Sequence, residues 1–351
     1  MKIMVLGYSL ETRYDASQYY LTKQLAKMEN VVLYGLERLL QRLIPISCFL
    51  NLPLLSRIDH KLGTLWLRLK RNVRSARVIK DVVKIARNES PDVVLMEACF
   101  PFVTRWKNLS QVKIPKALII EDFHRDTEKQ LKYVEESNVD LVLFRYKQWM
   151  NIPVVKKWIK RKKVNVEWLP HCVNTKIFRD YGIPRNSDVV SSGRCSQKVY
   201  PFRVGIRDVL SATPGIRFSM PKHVTYELIK GKPSSEVLMF ENYAKFLSLS
   251  KIFIFGSSIY NYALAKYTEG MACNTLVMAP MPKDGKDLHF ASGKNLVKVN
   301  HSNFVKKIRY YLKHEDERRQ IALSGLKTVQ KYHTAKKRAT ELITYLASIC
   351  K

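Results

Sequence analysis

Lys266-Tyr-Thr-Glu-Gly-Met-Ala-Cys-Asn-Thr-Leu-Val-Met-Ala279 is the stretch from which the fold can be read. It opens as a short helix carrying one carboxylate, Glu269, with the small residues Gly270 and Ala272 behind it. An apolar strand, 275–279, follows at once and runs into Pro280. A strand apolar on both faces belongs inside a parallel sheet, whose ligand crevices open at the carboxyl ends of its strands. Glu269 is a poor packing residue beside such a strand. It suits a pair of hydroxyls well, because a carboxylate accepts two hydrogen bonds side by side, as it does from a ribose. The competing reading is a solvated or helix-capping carboxylate.

The same alternation extends toward both termini. In the first half, residues 3–7, 30–34, 92–96, 117–120 and 140–144 are apolar runs of strand length, with helical periods at 17–28 and 128–134. In the second half, strands fall at 188–191, 217–220 and 252–255. Helices fall at 203–211, 235–249, 304–313 and 315–332, the last continuing through residue 349 and long enough to reach back onto the first half. Strands alternating with helices predict an α/β fold on parallel sheets. A chain of 351 residues exceeds one ordinary core. The expected division is 1–167, 168–334 and a returning helix at 335–351. The first strand-to-helix loop, residues 7–13, has one glycine only and fails as a dinucleotide fingerprint.

Lys and Arg number 61 against 30 Asp and Glu, a formal charge of +31. That imbalance predicts attraction to polyanions, whether phosphates, acidic membranes or nucleic acid, without choosing among them. Residues 156–163 hold six bases around Trp158, and no acid occurs from 141 to 166. A second basic tract spans 57–87, where Leu62, Leu65, Trp66 and Leu69 form an apolar stripe. Such a cationic amphipathic stretch fits peripheral contact with an anionic membrane and a lipid-linked acceptor; a solvated face or a core helix is the plainer alternative. Six cysteines, at 48, 99, 172, 195, 273 and 350, show no metal-ligand spacing and no disulfide framework. The first seven residues read as a strand rather than a leader, and no run approaches the ~18 apolar residues of a membrane span. The expected location is the cytoplasm, with peripheral membrane contact.

The later half then presents a series. Pro170-His171-Cys-Val-Asn174 is followed by Gly193-Arg194, Tyr200-Pro-Phe-Arg203, Gly256-Ser257-Ser258, the Glu269 helix, Lys286-Asp287-Leu288 and Gly293-Lys-Asn-Leu-Val. In order and spacing this resembles the group-1 glycosyltransferases, and more closely their spore-maturation (CgeB-like) branch, over about half the chain, 167–342. The resemblance implies a GT-B fold: two Rossmann-like domains facing a central cleft, the first holding the acceptor and the second the nucleotide-sugar. Carried over, Glu269 would bind the ribose hydroxyls, and Arg194 and Arg203 would face the diphosphate. Ser257 and Ser258 would offer donors to phosphate or sugar, and Lys266 takes the place of an arginine. A helix N-terminus near Ser258 would assist the leaving charge. Departures are Asn261 where a second carboxylate is common, Cys172 and Asn174 in the turn, and Asn274 in place of glycine.

In the first half, Glu121-Asp122-Phe-His124-Arg-Asp126 ends a strand, where acids and a histidine point into the crevice. His124 and Asp122 are the candidate catalytic groups, as sugar-hydroxyl ligands or as acid and base; the alternative is that Asp122 or Asp126 caps the next helix. No Asp-x-Asp metal signature stands out, so the expected reaction is metal-independent, uses no cofactor beyond the nucleotide-sugar co-substrate, and retains anomeric configuration as the resemblance implies. Two other classes remain open: a nucleic-acid binder that glycosylates bases, and a non-catalytic sugar-nucleotide binder.

Overall fold

The computed structural model describes residues 1–6, 16–34, 80–98, 106–124, 126–162, 164–221, 238 and 240–350. The first strand-to-helix loop and the stripe of Leu62, Leu65, Trp66 and Leu69 lie outside the described residues.

Up to residue 168 the elements are β1 (Lys2–Leu6), α1 (Ala16–Met28), β2 (Asn30–Tyr34), β3 (Lys80–Asp81), α2 (Val82–Glu89), β4 (Val93–Ala98), β5 (Trp106–Lys107), β6 (Lys116–Ile120), α3 (Thr127–Glu136), β7 (Leu141–Phe144), α4 (Pro153–Lys162) and β8 (Asn165–Trp168). Six of the strands form one sheet in the order β2-β1-β4-β6-β7-β8, all parallel. β6 and β7 are buried at every residue, which is why they read as unbroken apolar runs rather than alternating ones. Lys116 survives in that interior because its ammonium donates to the carbonyls of Val112 (2.8 Å) and Ile114 (3.3 Å).

The remainder comprises β9 (Ser187–Val190), α5 (Pro201–Ser211), β10 (Phe218–Ser219), α6 (Phe240–Ser248), β11 (Ser250–Ile254), α7 (Lys266–Ala272), β12 (Leu276–Ala279), β13 (Val297–Lys298), α8 (Phe304–Lys313), α9 (Glu315–Tyr332) and α10 (Ala335–Ile349). Here too the sheet is wholly parallel, in the order β10-β9-β11-β12-β13. From β9 the chain steps outward to β10 and then returns to place β11 on the other side of β9. That reversal makes a crevice at the carboxyl ends of β9 and β11. α7 lies tight on this sheet. A Cβ added to Gly270 would meet Phe253 and Val277 at 2.7 Å, so only glycine lets the helix approach this closely.

Two expectations need correction. The long terminal helix is two helices, because Thr334 is extended (φ −70°, ψ 153°) and its hydroxyl accepts from the Lys337 amide. Val173 bonds to the backbone on both sides of this break, accepting from Ala335 (2.9 Å) and donating to His333 (3.0 Å). α10 then packs on α1, with Leu21 and Leu25 sharing a buried cluster with Leu342 and Leu346. The second correction concerns Trp158. It is buried in α4, and its indole N–H donates to Glu135 at 2.8 Å, so it is not an exposed membrane anchor. Glu135 also pairs with Arg161 and Lys162, while Lys156, Lys157 and Lys160 remain exposed. Among the described residues no helix is long and apolar enough to cross a membrane.

Candidate functional site

The crevice of the second sheet is walled by two strand-end loops. Beyond β9 run Ser191, Ser192 and Gly193; beyond β11 run Phe255, Gly256, Ser257 and Ser258. Gly193 has φ +106°, and a Cβ there would stand 2.7 Å from Nη1 of Arg203, so the position demands glycine on both counts. Arg203, from α5, is 2% exposed. Its Nη1 donates to the Arg194 carbonyl (2.9 Å) and its Nη2 to the Gly256 carbonyl (2.6 Å), with the guanidinium 4.1 Å over the Tyr200 ring. It therefore ties the two loops together across the crevice. Only its buried Nε lacks a partner. Arg194 itself is exposed.

Lys266 opens α7 beneath these loops. Its ammonium donates to Ser192 Oγ (3.0 Å) and to Tyr243 Oη (3.3 Å), which are themselves 2.7 Å apart. Glu269 lies one helical turn further on and is 8% exposed. Burial lowers the lysine below its ordinary range, against the pull of the Glu269 charge. Tyr243 is pushed well up, first by burial and then by Glu269. Two cations and one carboxylate thus share the crevice floor at the sheet's reversal point, Arg203 and Glu269 buried and Lys266 half-buried. Such a floor can bind an anion through the cations and a vicinal diol through the carboxylate.

Ser257 and Ser258 are both 7% exposed. Ser257 Oγ donates to Asn261 Oδ1 (3.0 Å), and Asn261 Nδ2 donates to the Met281 carbonyl (2.9 Å), so Asn261 braces the loop where a second carboxylate was looked for. Ser258 Oγ is buried without a hydrogen-bond partner. The expected helix N-terminus near Ser258 is absent: no helix starts until Lys266.

His124 and Asp122 follow β6 and meet the second sheet's loops directly. His124 Nδ1 and Tyr262 Oη are 2.9 Å apart, and the imidazole lies 4.3 Å from the Tyr260 ring. Tyr262 stacks on Tyr146 (4.1 Å, 7°) and on Tyr260 (5.2 Å, 17°). Burial and then the Asp122 charge raise the Tyr262 phenol far above its ordinary range, so it stays protonated. Around this stack, the Lys147 amide donates to Asp284 (3.1 Å), its ammonium to Asp287 (2.8 Å), and Gln148 to the Tyr260 carbonyl (3.1 Å). His171 contacts Tyr146 Oη (3.2 Å) from within the first sheet's side and is buried. Asp126 precedes α3 but makes no cap; its carboxylate pairs with Lys129 instead. Among the described residues no group of three or more His, Cys, Asp or Glu gathers as a metal-binding set.

Residues 209–344 match the family described as Glycosyl transferase-like. Among solved structures the chain is similar to a sucrose-phosphate synthase from Thermosynechococcus elongatus, with 12% identity and a TM-score of 0.62 over 99% of this chain and 98% of that one. It is also similar to a glycosyltransferase from Rickettsia africae (15%, TM-score 0.62, covering 100% and 98%). A third likeness is to Anabaena HepE in complex with UDP and glucose (11%, TM-score 0.60, covering 99% and 100%). The chain has the GT-B fold. On that fold, residues 209–344 carry the match to a glycosyl transferase-like domain. No curated protein matches it in sequence.

Within this GT-B frame the sequence-derived residues separate into two groups. Lys266, Glu269 and Arg203 gather at the second sheet's reversal point with Gly193, while Ser257 and Ser258 border it. His124 and Asp122 stand across from them, at the aromatic stack between the two sheets. Sequence reasoning missed Ser192, Tyr243, Tyr260, Tyr262 and Tyr146. The tyrosines left one usable signal, the Tyr-Asn-Tyr step at 260–262 in a loop between a strand and the Glu269 helix.

Proposed function

We propose that this GT-B enzyme transfers a sugar from a nucleoside diphosphate donor to an acceptor, in the manner of the CgeB-like group-1 branch. Residues 168–334 hold the donor, residues 1–167 the acceptor, and 335–351 strap the two together. The observation that carries the reading is the convergence of half-buried Lys266 with buried Glu269 and Arg203 at the sheet's reversal point. Glu269 grips the ribose hydroxyls. Lys266, with Arg194 at the rim, meets the diphosphate, and Arg203 supplies positive potential while fixing the loops that surround it. As the anomeric C–O bond breaks, negative charge grows on the departing diphosphate, and fixed cations in a dry site stabilise that charge without reorganising. Transfer proceeds with retention and without a metal, as group-1 chemistry implies. His124 and Asp122 contact the sugar from the opposite wall.

HepE in the comparison carries UDP and glucose, and uridine diphosphate is the nucleotide proposed here. The exposed bases of α4, Lys156, Lys157 and Lys160, face an anionic membrane surface, bringing the enzyme to a lipid-linked acceptor in the cytoplasm. Thermal-shift titration with UDP, GDP, ADP and CMP, followed by a hydrolysis assay on UDP-glucose without acceptor, tests the reading. The expected results are stabilisation by UDP and slow release of glucose. Absence of both for every nucleotide would reject it.

A further inference from the structure

We infer that the second sheet carries a separate binding site for a soluble phosphate monoester, at the edge opposite the cleft. A pocket of 590 Å³ opens there, bounded by Arg185, Lys251, Arg318, Arg319, Asp180 and Glu315. Its place is fixed by Arg185, whose Nη1 donates to the Ser250 carbonyl (2.6 Å) and to Thr275 Oγ1 (2.9 Å). These residues stand at the amino ends of β11 and β12, so the length of a strand, roughly 15 Å, separates the pocket from the Gly256 loop. The volume falls within the ~300–1,000 Å³ of ordinary small-molecule sites.

Charge chooses the ligand class. Four cations against two carboxylates leave a surplus of two positive charges on the lining. Including the neighbours does not change it, because Asp188, which pairs with Lys251 (2.9 Å), also pairs with Arg217 (3.0 Å). A phosphate monoester carries close to two negative charges at neutral pH and would neutralise that surplus. The Asp180 charge, already counted in that sum, is turned onto other partners. The carboxylate is taken up by Arg185 (3.2 Å), the Gly182 amide (3.0 Å) and Asn274 Nδ2 (2.9 Å). Lys251 uses one of its N–H groups on Asp188, and Arg319 meets Glu315 while remaining 74% exposed, so both have donors left for phosphate oxygens.

The experiment is a calorimetric titration of the full chain with glucose 6-phosphate, with glucose as the uncharged control and phosphatidic acid vesicles as the lipid control. Three proteins are compared: the wild type, the double variant Lys251→Gln/Arg319→Gln, and Glu269→Gln. Arg318 is left alone because its guanidinium holds the Tyr311 carbonyl. The expected result is that glucose 6-phosphate binds wild type and Glu269→Gln alike and the double variant at least tenfold more weakly, while glucose gives no heat. UDP binding, measured on the same samples, stays intact in the double variant, which separates this site from the donor site. No binding of glucose 6-phosphate to wild type, equal binding to the double variant, or binding of the vesicles alone would each overturn the inference.

Discussion

At Lys266, burial and a carboxylate one helical turn away pull the ammonium in opposite directions, and burial prevails. The sign of the consequence follows. The group is charged below its lowered pKa and neutral above it, so its contribution to diphosphate binding is present at low pH and lost as pH rises through that value. Calorimetric affinity for UDP is expected to fall on the mildly alkaline side, well before the ~10.4 of an ordinary lysine, while Lys266→Arg stays flat over the same range. A wild-type profile as flat as the arginine variant's would contradict the placement of this ammonium on the phosphates. Glu269 stood out in the sequence because a lone carboxylate sits badly between a glycine-bearing helix and a buried strand, and it is buried there. Ser192 could not. It reaches Lys266 across 74 residues of chain, and a side-chain pairing of that range leaves no local pattern. Arg203 was expected at the diphosphate; its part as a loop clamp was not legible, since a guanidinium that bonds to backbone carbonyls has no sequence partner to betray it.

Strands and amphipathic helices carry their own periods, and the elements built on them were readable. Residues 304–313 form a helix with the expected bounds and 315–332 one with the expected start, because each has an apolar stripe facing the second sheet's core. The break at Thr334 was not readable, because it depends on Val173, far away in sequence, bonding to the chain on both sides. α4 looked like a surface tract for the same reason: Glu135, which ties down Trp158, comes from α3. The break has a titrating element of its own. His333 is 1% exposed, with Nε2 on the Leu288 carbonyl (2.9 Å) and Arg338 beside Nδ1 (3.1 Å). Burial, then the Arg338 charge, lowers its pKa from 6.5 to about 4. The unfolded chain therefore takes up a proton at higher pH than the folded one, and the stabilisation present above the unfolded value is lost as pH falls toward the folded value. Acidification across that window is expected to cost up to roughly 3 kcal/mol through this group alone, seen as a falling urea midpoint. In His333→Gln the slope should be correspondingly shallower. An equal slope in both proteins would mean that other groups carry the acid sensitivity.

Between the two sheets, the stack of Tyr146, Tyr262 and Tyr260 with His124 holds the molecule in one arrangement. Its energetics are those of a core rather than of a surface ion pair, since Tyr262 is 3% exposed. Tyr262→Phe keeps the stack and loses the contact with His124, and should cost about 1 kcal/mol. Tyr262→Ala removes the ring and should cost roughly 3–5 kcal/mol, with a larger radius of gyration by small-angle scattering as the two sheets lose their clasp. Identical scattering and stability for Tyr262→Ala would show that the stack does not join them. On the far side of the molecule, α10 closes the frame against α1. A chain arranged in this way brings the loops after β6 and β11 together and leaves the floor formed by Lys266, Glu269 and Arg203 opposite the first sheet. The most direct measurement on that floor is the affinity of UDP for wild type and for Glu269→Gln by calorimetry, with thermal midpoints recorded alongside. Glu269→Gln is expected to lose at least tenfold in affinity with the midpoint little changed; equal affinity in the two proteins would contradict the placement of Glu269 on the ribose.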